Sequence, residues 1–586
     1  MTLDQLQQVR EYYDFVDVDT DRYTIDGELR QVMLSGRELA IEKNPQATGW
    51  VNQRVIYTHG IGMAMVPVNE VTPEGQPRLW IKDLPPVSEA GAPEITQPRI
   101  YFGETDDRYV VVGARQAEFD YPRRAGNTTV DETTRWTGTT GIALDTTLSR
   151  LLFALRFRDF DLLISDQITA DSQLLFHRTI SERLGRIAPF LRYDKDPYLV
   201  IDDAGRFVYV QDAYTISNDF PNAQAFSGGV LGAGSGLAGD EFNYIRNSVK
   251  ITVDAYDGTM RFYVADPSDP IIRAWQGVFP GIFEPLSAMP EGMLAHLRVP
   301  EEQFNVQSNM FGRYHVTQTL TFFNNTDRWT IPDVQTNEQS LPSEAYYVVM
   351  RMPEEKEVEF LLLQPMIAQN RPNMIAWVAA RSDAPNYGQV FTYRFPADTT
   401  IFGPAQIEAR IDQDPEISAQ VSLWNQSGSQ VIRGNLIVIP VGESLLYLQP
   451  VYLQSTSSAF PEFQKIVVAS PTTIVWGDTL AEALTLLIAK QGVVPGPVTT
   501  PTPTPGPTVT PAPGVTPRPT ATPAPGGELP ADVTALVDYA NTHFELAQAA
   551  LRAGDFATYG DEMDKVQVAL VRLGELTGTP TPSIAP

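Results

Sequence analysis

The sequence predicts an α+β fold that is dominated by antiparallel β-sheet with helical insertions and followed by an α-helical hairpin. Runs of β-branched and aromatic residues, separated by turn sequences, recur through residues 1–494. A Pro- and Thr-rich stretch covers residues 495–527, and two sets of apolar residues at spacings of three and four follow it. These three observations divide the chain into a large body, a linker and a small helical unit.

Two hairpins are the clearest local predictions in the body. Asp203-Ala-Gly-Arg206 joins two apolar runs, and Asp257-Gly258 is a strong two-residue hairpin turn between two others. Further strands are predicted at Tyr109–Gly113, Val249–Asp254, Met260–Val264 and Asn435–Ile439. Helices are predicted at Arg30–Glu42, Thr147–Phe157, Asp171–Ile187 and Leu480–Lys490.

The linker and the segment after it differ from the body in composition. Residues 495–527 contain 12 prolines and 9 threonines, which favour an extended polyproline II spacer that buries no core. Residues 528–576 are predicted to form an amphipathic helical hairpin, with its turn at Gly554 and Asp555, and residues 577–586 a disordered tail. The apolar face of the hairpin is expected to pack on a partner, on the body or on a second copy of itself, since two short helices are marginal alone.

Charge and cysteine content exclude several classes of function. The chain has 43 Lys and Arg against 71 Asp and Glu, a net charge of −28, of which the body carries −23. Such a charge repels nucleic-acid phosphate and anionic membrane surfaces alike, so no nucleic-acid partner is expected. The chain has no cysteine, which excludes disulfides, thiolate zinc sites, iron–sulfur clusters and cysteine nucleophiles.

Targeting signals are not expected from the residues present. The first ten residues lack the basic and apolar regions of a signal peptide. The most apolar run, Asn435–Leu453, is interrupted by Pro440, Glu443 and Pro450, so we expect no transmembrane segment within the sequence.

A candidate calcium site lies near the amino terminus. Asp17, Asp19, Asp21 and Glu28 occupy positions 1, 3, 5 and 12 of a calcium-loop template, but Arg22 stands where the template needs glycine. The run Phe15–Ile25 also alternates like a half-exposed strand, which would place the three aspartates on one solvated face. The strand is the favoured interpretation. Calcium could still bridge that face, and no other cofactor is predicted.

A second weak candidate is a polar site at His59, Asp254 and Asp257. Thr58, Gly60 and Gly62 around His59 would permit close approach of a ligand or of another chain, whereas the alternative is a packed turn. Asp257 precedes Gly258, so a turn explains it equally well. The three residues form a site only if the fold brings them around one cavity.

Three acidic pairs beside aromatic residues are candidates for hydrolytic chemistry. They are Asp194 with Asp196, Asp254 with Asp257, and Asp412 with Asp414. Two facing carboxylates suffice for glycoside hydrolysis, but in a chain with 71 acidic residues such pairs also arise by chance. No catalytic residue is therefore assigned.

Several segments together resemble a family of large bacterial membrane proteins, number 182 in the UPF (uncharacterised protein family) series. They are Tyr13–Tyr23, Tyr57–Gly60, Pro98–Glu104, Glu118–Pro122, Arg186–Leu191, Asp196–Tyr198, Asn243–Lys250, Asp254–Gly258, Asn373–Trp377, Gly403–Glu408, Val431–Asn435 and Ala549–Asp555. The resemblance implies a large domain on the extracytoplasmic side of the cell membrane, joined in the family to several membrane helices. It implies no activity and no catalytic residue.

The expected function is therefore a non-catalytic extracytoplasmic domain of a bacterial envelope protein that acts by binding or assembly. The expected partners are a membrane-embedded region, a partner membrane protein, or a second copy bound through the helical hairpin. The alternative is a cell-envelope hydrolase that acts on polysaccharide through paired carboxylates. A further possibility is that the domain gates or receives something that a membrane region transports.

Overall fold

The structure is a computed structural model that describes most of the body and part of the segment beyond the linker. The described residues are 2–126, 128–335, 340–352, 355–396, 400–426, 428–441, 444–455, 460–491, 533–553, 558, 562, 565, 566, 568, 569 and 572. The chain divides into two compact units, Met1–Gly496 and Pro497–Pro586. The predicted linker and tail lie outside the described residues.

The first sheet of the body corrects the prediction of a helix at Arg30–Glu42. Glu28–Leu39 is a strand, and Val32 and Leu34 alternate into the core from it while it pairs with three other strands. The helix prediction was wrong because these long-range pairings, which no local window shows, determine the conformation. The six strands of this amino-terminal sheet are Tyr13–Phe15, Asp19–Ile25, Glu28–Leu39, Met63–Pro67, Ile81–Lys82 and Val87–Ser88.

A region of short strands and helices follows, and it contains a second correction. Asp171–Ile187 is helical only over Ile180–Ile187, because Gln173–Leu175 pairs with the strand Val110–Val112. The predicted helix Thr147–Phe157 is confirmed. The other elements of this region are the strands Glu118–Ala125, Thr128–Thr134 and Ile142–Ala143 and the helix Asp161–Ile164, and nearby strands are Gly60–Ile61 and Arg99–Ile100.

The central sheet confirms both predicted hairpins. Tyr198–Ile201 pairs antiparallel with Phe207–Ser217, and Tyr244–Asp254 pairs antiparallel with Met260–Val264. Side chains from the central sheet pack with side chains from the amino-terminal sheet in one large apolar cluster. Leu34, Tyr209 and Ile251 are among its members. The remaining strands are Arg192–Tyr193 and Phe283–Pro285, beside the small pair Phe226–Ser227 and Glu241–Phe242.

Among the described residues, six α-helices lie between the strands Met260–Val264 and Ser429–Arg433 in sequence. Pro270–Val278 is capped by the buried Asp269, whose carboxylate accepts from the amides of Ile271 and Ile272 at 3.0 and 3.2 Å and from the hydroxyls of Thr215, Ser248 and Tyr244. Burial by itself would raise the pKa of Asp269, but these donors hold it below the usual value. The other five helices are Glu291–Leu294, Glu301–Tyr314, Thr319–Phe323, Pro404–Gln413 and Pro415–Trp424.

Two further antiparallel sheets complete the body, and they share a second large apolar cluster. The third sheet contains Trp329–Thr330, Tyr346–Arg351, Val358–Ala368, Asn373–Arg381, Val390–Arg394 and Ile401–Phe402, with Asp333–Gln335 and Ser340–Pro342 as a separate pair. The fourth contains Ser429–Arg433, Ile437–Val441, Ser444–Ser455, Pro461–Ala469 and Ile474–Gly477. The predicted helix near the linker is confirmed as Leu480–Gln491, and a short helix, Thr2–Gln7, begins the chain. The body is thus α+β and mainly antiparallel sheet, as predicted.

The second unit begins its described part with the helix Val533–Ala553, which matches the first half of the predicted hairpin. Leu536, Ala540 and Ala569 belong to a small apolar cluster, and Nδ1 of His543 hydrogen-bonds with the Glu562 carboxylate. The predicted turn at Gly554 and Asp555 lies outside the described residues.

Candidate functional site

Three carboxyl groups meet where the amino-terminal sheet lies against the central sheet. Asp19 begins the strand Asp19–Ile25, Asp17 comes two residues earlier, and Asp196 lies just before the strand Tyr198–Ile201. One carboxylate oxygen from each residue lies within 4.8 Å of the other two. We call these three residues the aspartate cluster.

Asp19 is the buried member of the cluster, with 4 % of its surface exposed. Its Oδ2 accepts a hydrogen bond from the amide of Leu199 at 2.8 Å, whereas its Oδ1 is buried and accepts no hydrogen bond from the described residues. Nη2 of Arg298 lies 3.9 Å from that Oδ1 and 2.6 Å from Oδ2 of Asp196. One guanidinium nitrogen of Arg298 therefore lies near a carboxylate oxygen of both aspartates.

Burial and mutual repulsion control the ionisation of the cluster. Burial raises the pKa of Asp19 well above its usual value, although Arg298 opposes the shift. Burial also raises the pKa of Asp196 to about 7 against the same guanidinium, and a hydrogen bond with the Asp17 carboxyl group adds to the shift. Carboxyl groups held this close repel each other when all are ionised, unless a cation lies among them.

Two glutamates adjoin the cluster. Glu38 accepts from the amides of Glu104 and Thr105 at 2.7 and 3.0 Å and from the hydroxyl of Tyr209 at 3.0 Å. Burial, followed by the charges of Glu38 and Asp19, raises the pKa of Glu104 to about 10. A cavity of about 410 Å³ is lined in part by Val16, Glu38 and Thr105 and therefore adjoins this region.

The structure corrects the predicted environment of the amino-terminal aspartates and separates two of them from the cluster. Asp19 and Asp21 are buried and do not lie on a solvated face. Asp21 hydrogen-bonds with Nδ1 of His296 at 2.7 Å, and Glu28 is exposed and forms an ion pair with Arg30 at 2.8 Å. Asp17 and Asp19 therefore join Asp196, which the linear calcium template could not include because Asp196 lies far along the sequence from them.

His59 occupies a packed polar cluster of its own. The side chain is buried, hydrogen-bonds with Thr58 at 2.9 Å and Asp120 at 3.3 Å, and stacks on Tyr101 with ring centroids 4.6 Å apart. A Cβ atom on Gly60 would lie 2.3 Å from the carbonyl oxygen of Arg37, so the chain's own backbone already occupies that space. The glycine beside His59 serves internal packing at this position.

Asp254 and Asp257 stabilise the second hairpin turn. Oδ1 of Asp254 accepts from the amides of Tyr256 and Asp257 at 2.8 and 3.0 Å, and the same carboxylate forms an ion pair with Arg206. Asp257 accepts from the amide of Thr259 at 2.9 Å. Tyr101, which stacks on His59, also contacts Tyr256 edge to face with 5.4 Å between centroids, and the hydrogen bonds of Asp254 and Asp257 given above do not involve His59.

The remaining acidic pairs also have structural partners. Asp194 accepts from the hydroxyl of Tyr214 and from the amide of Asp196 at 3.1 Å. Asp412 pairs with Arg433, and Asp414 caps the helix Pro415–Trp424. Each pair suggested for hydrolysis thus contributes carboxylates to turns, caps or ion pairs.

Exposed apolar side chains occur on the helix Thr147–Phe157, at Phe160 in the turn after it, and at Ile164 in the short helix Asp161–Ile164. Ala154 is buried, and Phe153 and Phe157 pack on Phe176 with ring centroids 5.7 and 5.8 Å apart. On the opposite side of the helix, leucines at spacings of three and four are largely exposed, with Leu148 65 % and Leu155 59 % accessible. We call the exposed set the apolar helix face; it comprises Leu148, Leu151, Leu152, Leu155, Phe160 and Ile164.

Comparison with known proteins shows similarity to proteins without a described activity. A family model described as "Uncharacterised protein family (UPF0182)" matches residues 1–424. Three relatives are each named "UPF0182 protein" and match 98 % of this chain. The relative from Desulforamulus reducens is 45 % identical and is covered over 58 % of its length. Those from Moorella thermoacetica and Pelotomaculum thermopropionicum are 43 % and 39 % identical, and each is covered over 59 % of its length. The chain thus spans about three fifths of the length of these relatives. No solved structure matches it.

One structural finding bears on the membrane. Among the described residues, the helices are all too short or too polar to cross a bilayer.

Proposed function

The chain belongs to the uncharacterised protein family UPF0182, and from that premise we propose that its body binds the outer surface of a bacterial membrane and has no catalytic role. The apolar helix face carries this proposal. The expected occupant of that face is the boundary between headgroups and acyl chains of the bilayer.

The composition of the helix supports a membrane-facing role. A helix with apolar side chains on both sides is normally covered on both, but here only one side packs on the body. Six large apolar side chains within residues 148–164 remain exposed, and an apolar patch of this kind on a protein surface marks an interaction site. Transfer of each such side chain out of water is favourable by roughly 1.5–3 kcal/mol.

Charge favours a lipid surface as the occupant. Residues 147–158 contain Arg150, Arg156 and Arg158 and no acidic residue, whereas Asp145, Asp159 and Asp161 flank this stretch. Interfacial helices combine an apolar face with basic residues that attract anionic lipid headgroups. The acidic remainder of the chain is repelled by the same headgroups, which would orient the body with this helix toward the bilayer.

The carboxylate pairs favour binding over hydrolysis. Facing carboxylates in a glycosidase must be free to protonate a leaving group and to attack or activate water. Here Asp254, Asp412 and Asp414 are held by arginines or by backbone amides. These contacts support a structural role for the acidic pairs.

The test is flotation of the full chain with lipid vesicles. We expect wild type to float with vesicles that contain phosphatidylglycerol, and the triple variant Leu148→Ser, Leu152→Ser, Leu155→Ser to partition at least ~100-fold less, since three apolar contacts are lost. The variant should keep its folded signal because the three side chains are exposed.

A matched control distinguishes binding through this surface from nonspecific binding through any exposed apolar residue. Leu320 and Phe323 lie on another helix and are 72 % and 83 % exposed, so the variant Leu320→Ser, Phe323→Ser should float like wild type. Failure of wild type to float, or equal flotation of the triple variant, would overturn the proposal. Failure of wild type to float would make a membrane protein the partner to seek.

A further inference from the structure

We propose that the aspartate cluster, Asp17, Asp19 and Asp196, binds one divalent cation of the calcium class between the amino-terminal and central sheets. The proposal is independent of membrane binding. It rests on ligand spacing, on the unpartnered oxygen of Asp19, and on the local charge.

The spacing suits a single calcium ion. Oxygen ligands lie 2.3–2.6 Å from calcium, so two ligands on opposite sides of the ion are roughly 4.6–5.2 Å apart. The three carboxylate oxygens of the cluster lie within 4.8 Å of one another, so one ion can contact all of them. The ligands are all oxygens, which hard cations prefer and softer transition metals do not.

The second, independent observation is the unsatisfied buried oxygen. Oδ1 of Asp19 is excluded from solvent and accepts no hydrogen bond from the described residues, and Nη2 of Arg298 lies 3.9 Å from it, beyond hydrogen-bond distance. Buried polar atoms nearly always have a partner, and a carboxylate oxygen left without one is costly. A cation held among the three carboxylates supplies that partner.

The net charge of the groups around the cluster favours binding of a cation. When all three aspartates are ionised, they and the guanidinium of Arg298 give a local charge of −2, which one divalent ion neutralises. Glu38 is already satisfied by donors, and Glu104 lies close enough for the cluster to affect its ionisation. Asp17 and Asp196 are only partly buried, so water could complete the coordination.

Such an ion would connect two parts of the fold. Asp19 belongs to the amino-terminal sheet and Asp196 adjoins the central sheet, and the ion would hold these two sheets together. Binding of a ligand to the folded state alone raises the thermal midpoint, and it does so in proportion to the logarithm of ligand concentration. The cation is therefore expected to stabilise the body, with a function in structure and not in catalysis.

The test is to remove metal from the full chain with a chelator and then to add calcium. Titration calorimetry measures the heat and stoichiometry of binding, and thermal unfolding measures the change in stability. We expect one ion per chain and a rise in the first unfolding midpoint of roughly 2–4 °C at saturating Ca²⁺, reversed by chelator. Titration should extend to about 10 mM, since extracellular calcium modules bind with dissociation constants of 10⁻⁴–10⁻³ M. Mg²⁺ serves as the comparison ion.

Variants distinguish the cluster from the rest of the acidic surface. Asp17→Asn and Asp196→Asn should each reduce calcium affinity at least ~10-fold, and both are safer for folding than a change of the buried Asp19. Glu28→Gln is the matched control, because Glu28 completes the linear template but pairs with Arg30, and its calcium response should equal that of wild type. Absence of heat and of a thermal shift in wild type, or an unchanged response in both aspartate variants, would overturn the proposal.

The cation and membrane experiments fail independently. Flotation repeated in chelator should still show binding through the apolar helix face, and the triple serine variant should still show the calcium-dependent thermal shift. Loss of one property with retention of the other identifies which of the two proposals is wrong.

Discussion

Replacement of Lys250 by methionine is expected to lower the free energy of unfolding of the body by about 3–5 kcal/mol. The lysine side chain is fully buried in the central sheet, forms an ion pair with Asp212, and donates to the carbonyl of Arg298 at 2.8 Å. Methionine fills a similar volume but leaves the buried Asp212 carboxylate without its cation. Urea unfolding at pH 7, followed by near-ultraviolet circular dichroism, measures the change.

A double variant tests the reason for that loss. Asp212→Asn together with Lys250→Met removes both charges, so it should recover most of the stability that the single variant loses. A single variant within about 1 kcal/mol of wild type would contradict the expected cost of an unpaired buried charge.

Replacement of Arg178 by methionine is expected to cost about 3–5 kcal/mol for a different reason. This buried guanidinium donates to the carbonyls of Tyr101 at 2.7 Å and Thr58 at 2.6 Å, and it pairs with Asp106 at 3.0 Å. Without it, two buried carbonyls lose their donor, and each unsatisfied group costs about 1–3 kcal/mol. The same urea titration measures the loss.

The surface arginine Arg115 is the control for this second variant. Arg115 is 65 % exposed, and its ion pair with Asp166 spans 3.3 Å on the surface. Arg115→Met should change stability by less than about 0.5 kcal/mol. Equal losses in the Arg178 and Arg115 variants would contradict the assigned role of the buried guanidinium.

Local signals in the sequence predict the hairpins but not the whole pattern of strands. The turns at Gly205 and Gly258 are encoded within a few residues, and both hairpins form as predicted. The segment Glu28–Leu39 was expected to be helical over much of its length, yet its pairing partners come from residues before and after it. Its conformation depends on those contacts, which a local window cannot contain.

The sequence predicts only part of the candidate site, because the rest of the site depends on contacts between distant segments of the chain. The spacing of Asp17 and Asp19 identifies them as candidate cation ligands, but Asp196 lies beside them only because the two sheets pack together. The burial of Asp19 and Asp21 could not be predicted, since His296 and Arg298, which pair with them, arrive from a distant part of the chain. Likewise, periodicity predicts the helix Thr147–Phe157 but cannot show that one of its apolar faces stays uncovered.

The depth of Leu152 in a bilayer tests membrane binding most directly. The chain has no cysteine, so Leu152→Cys and Val130→Cys each provide a single site for a nitroxide label. Val130 is exposed on a separate hairpin and serves as the reference. With phosphatidylglycerol vesicles, we expect the label at residue 152 to lie roughly 5–10 Å below the headgroups, more accessible to oxygen than to a water-soluble nickel chelate, while residue 130 stays aqueous. Equal, aqueous accessibility at both sites would contradict docking through the apolar helix face.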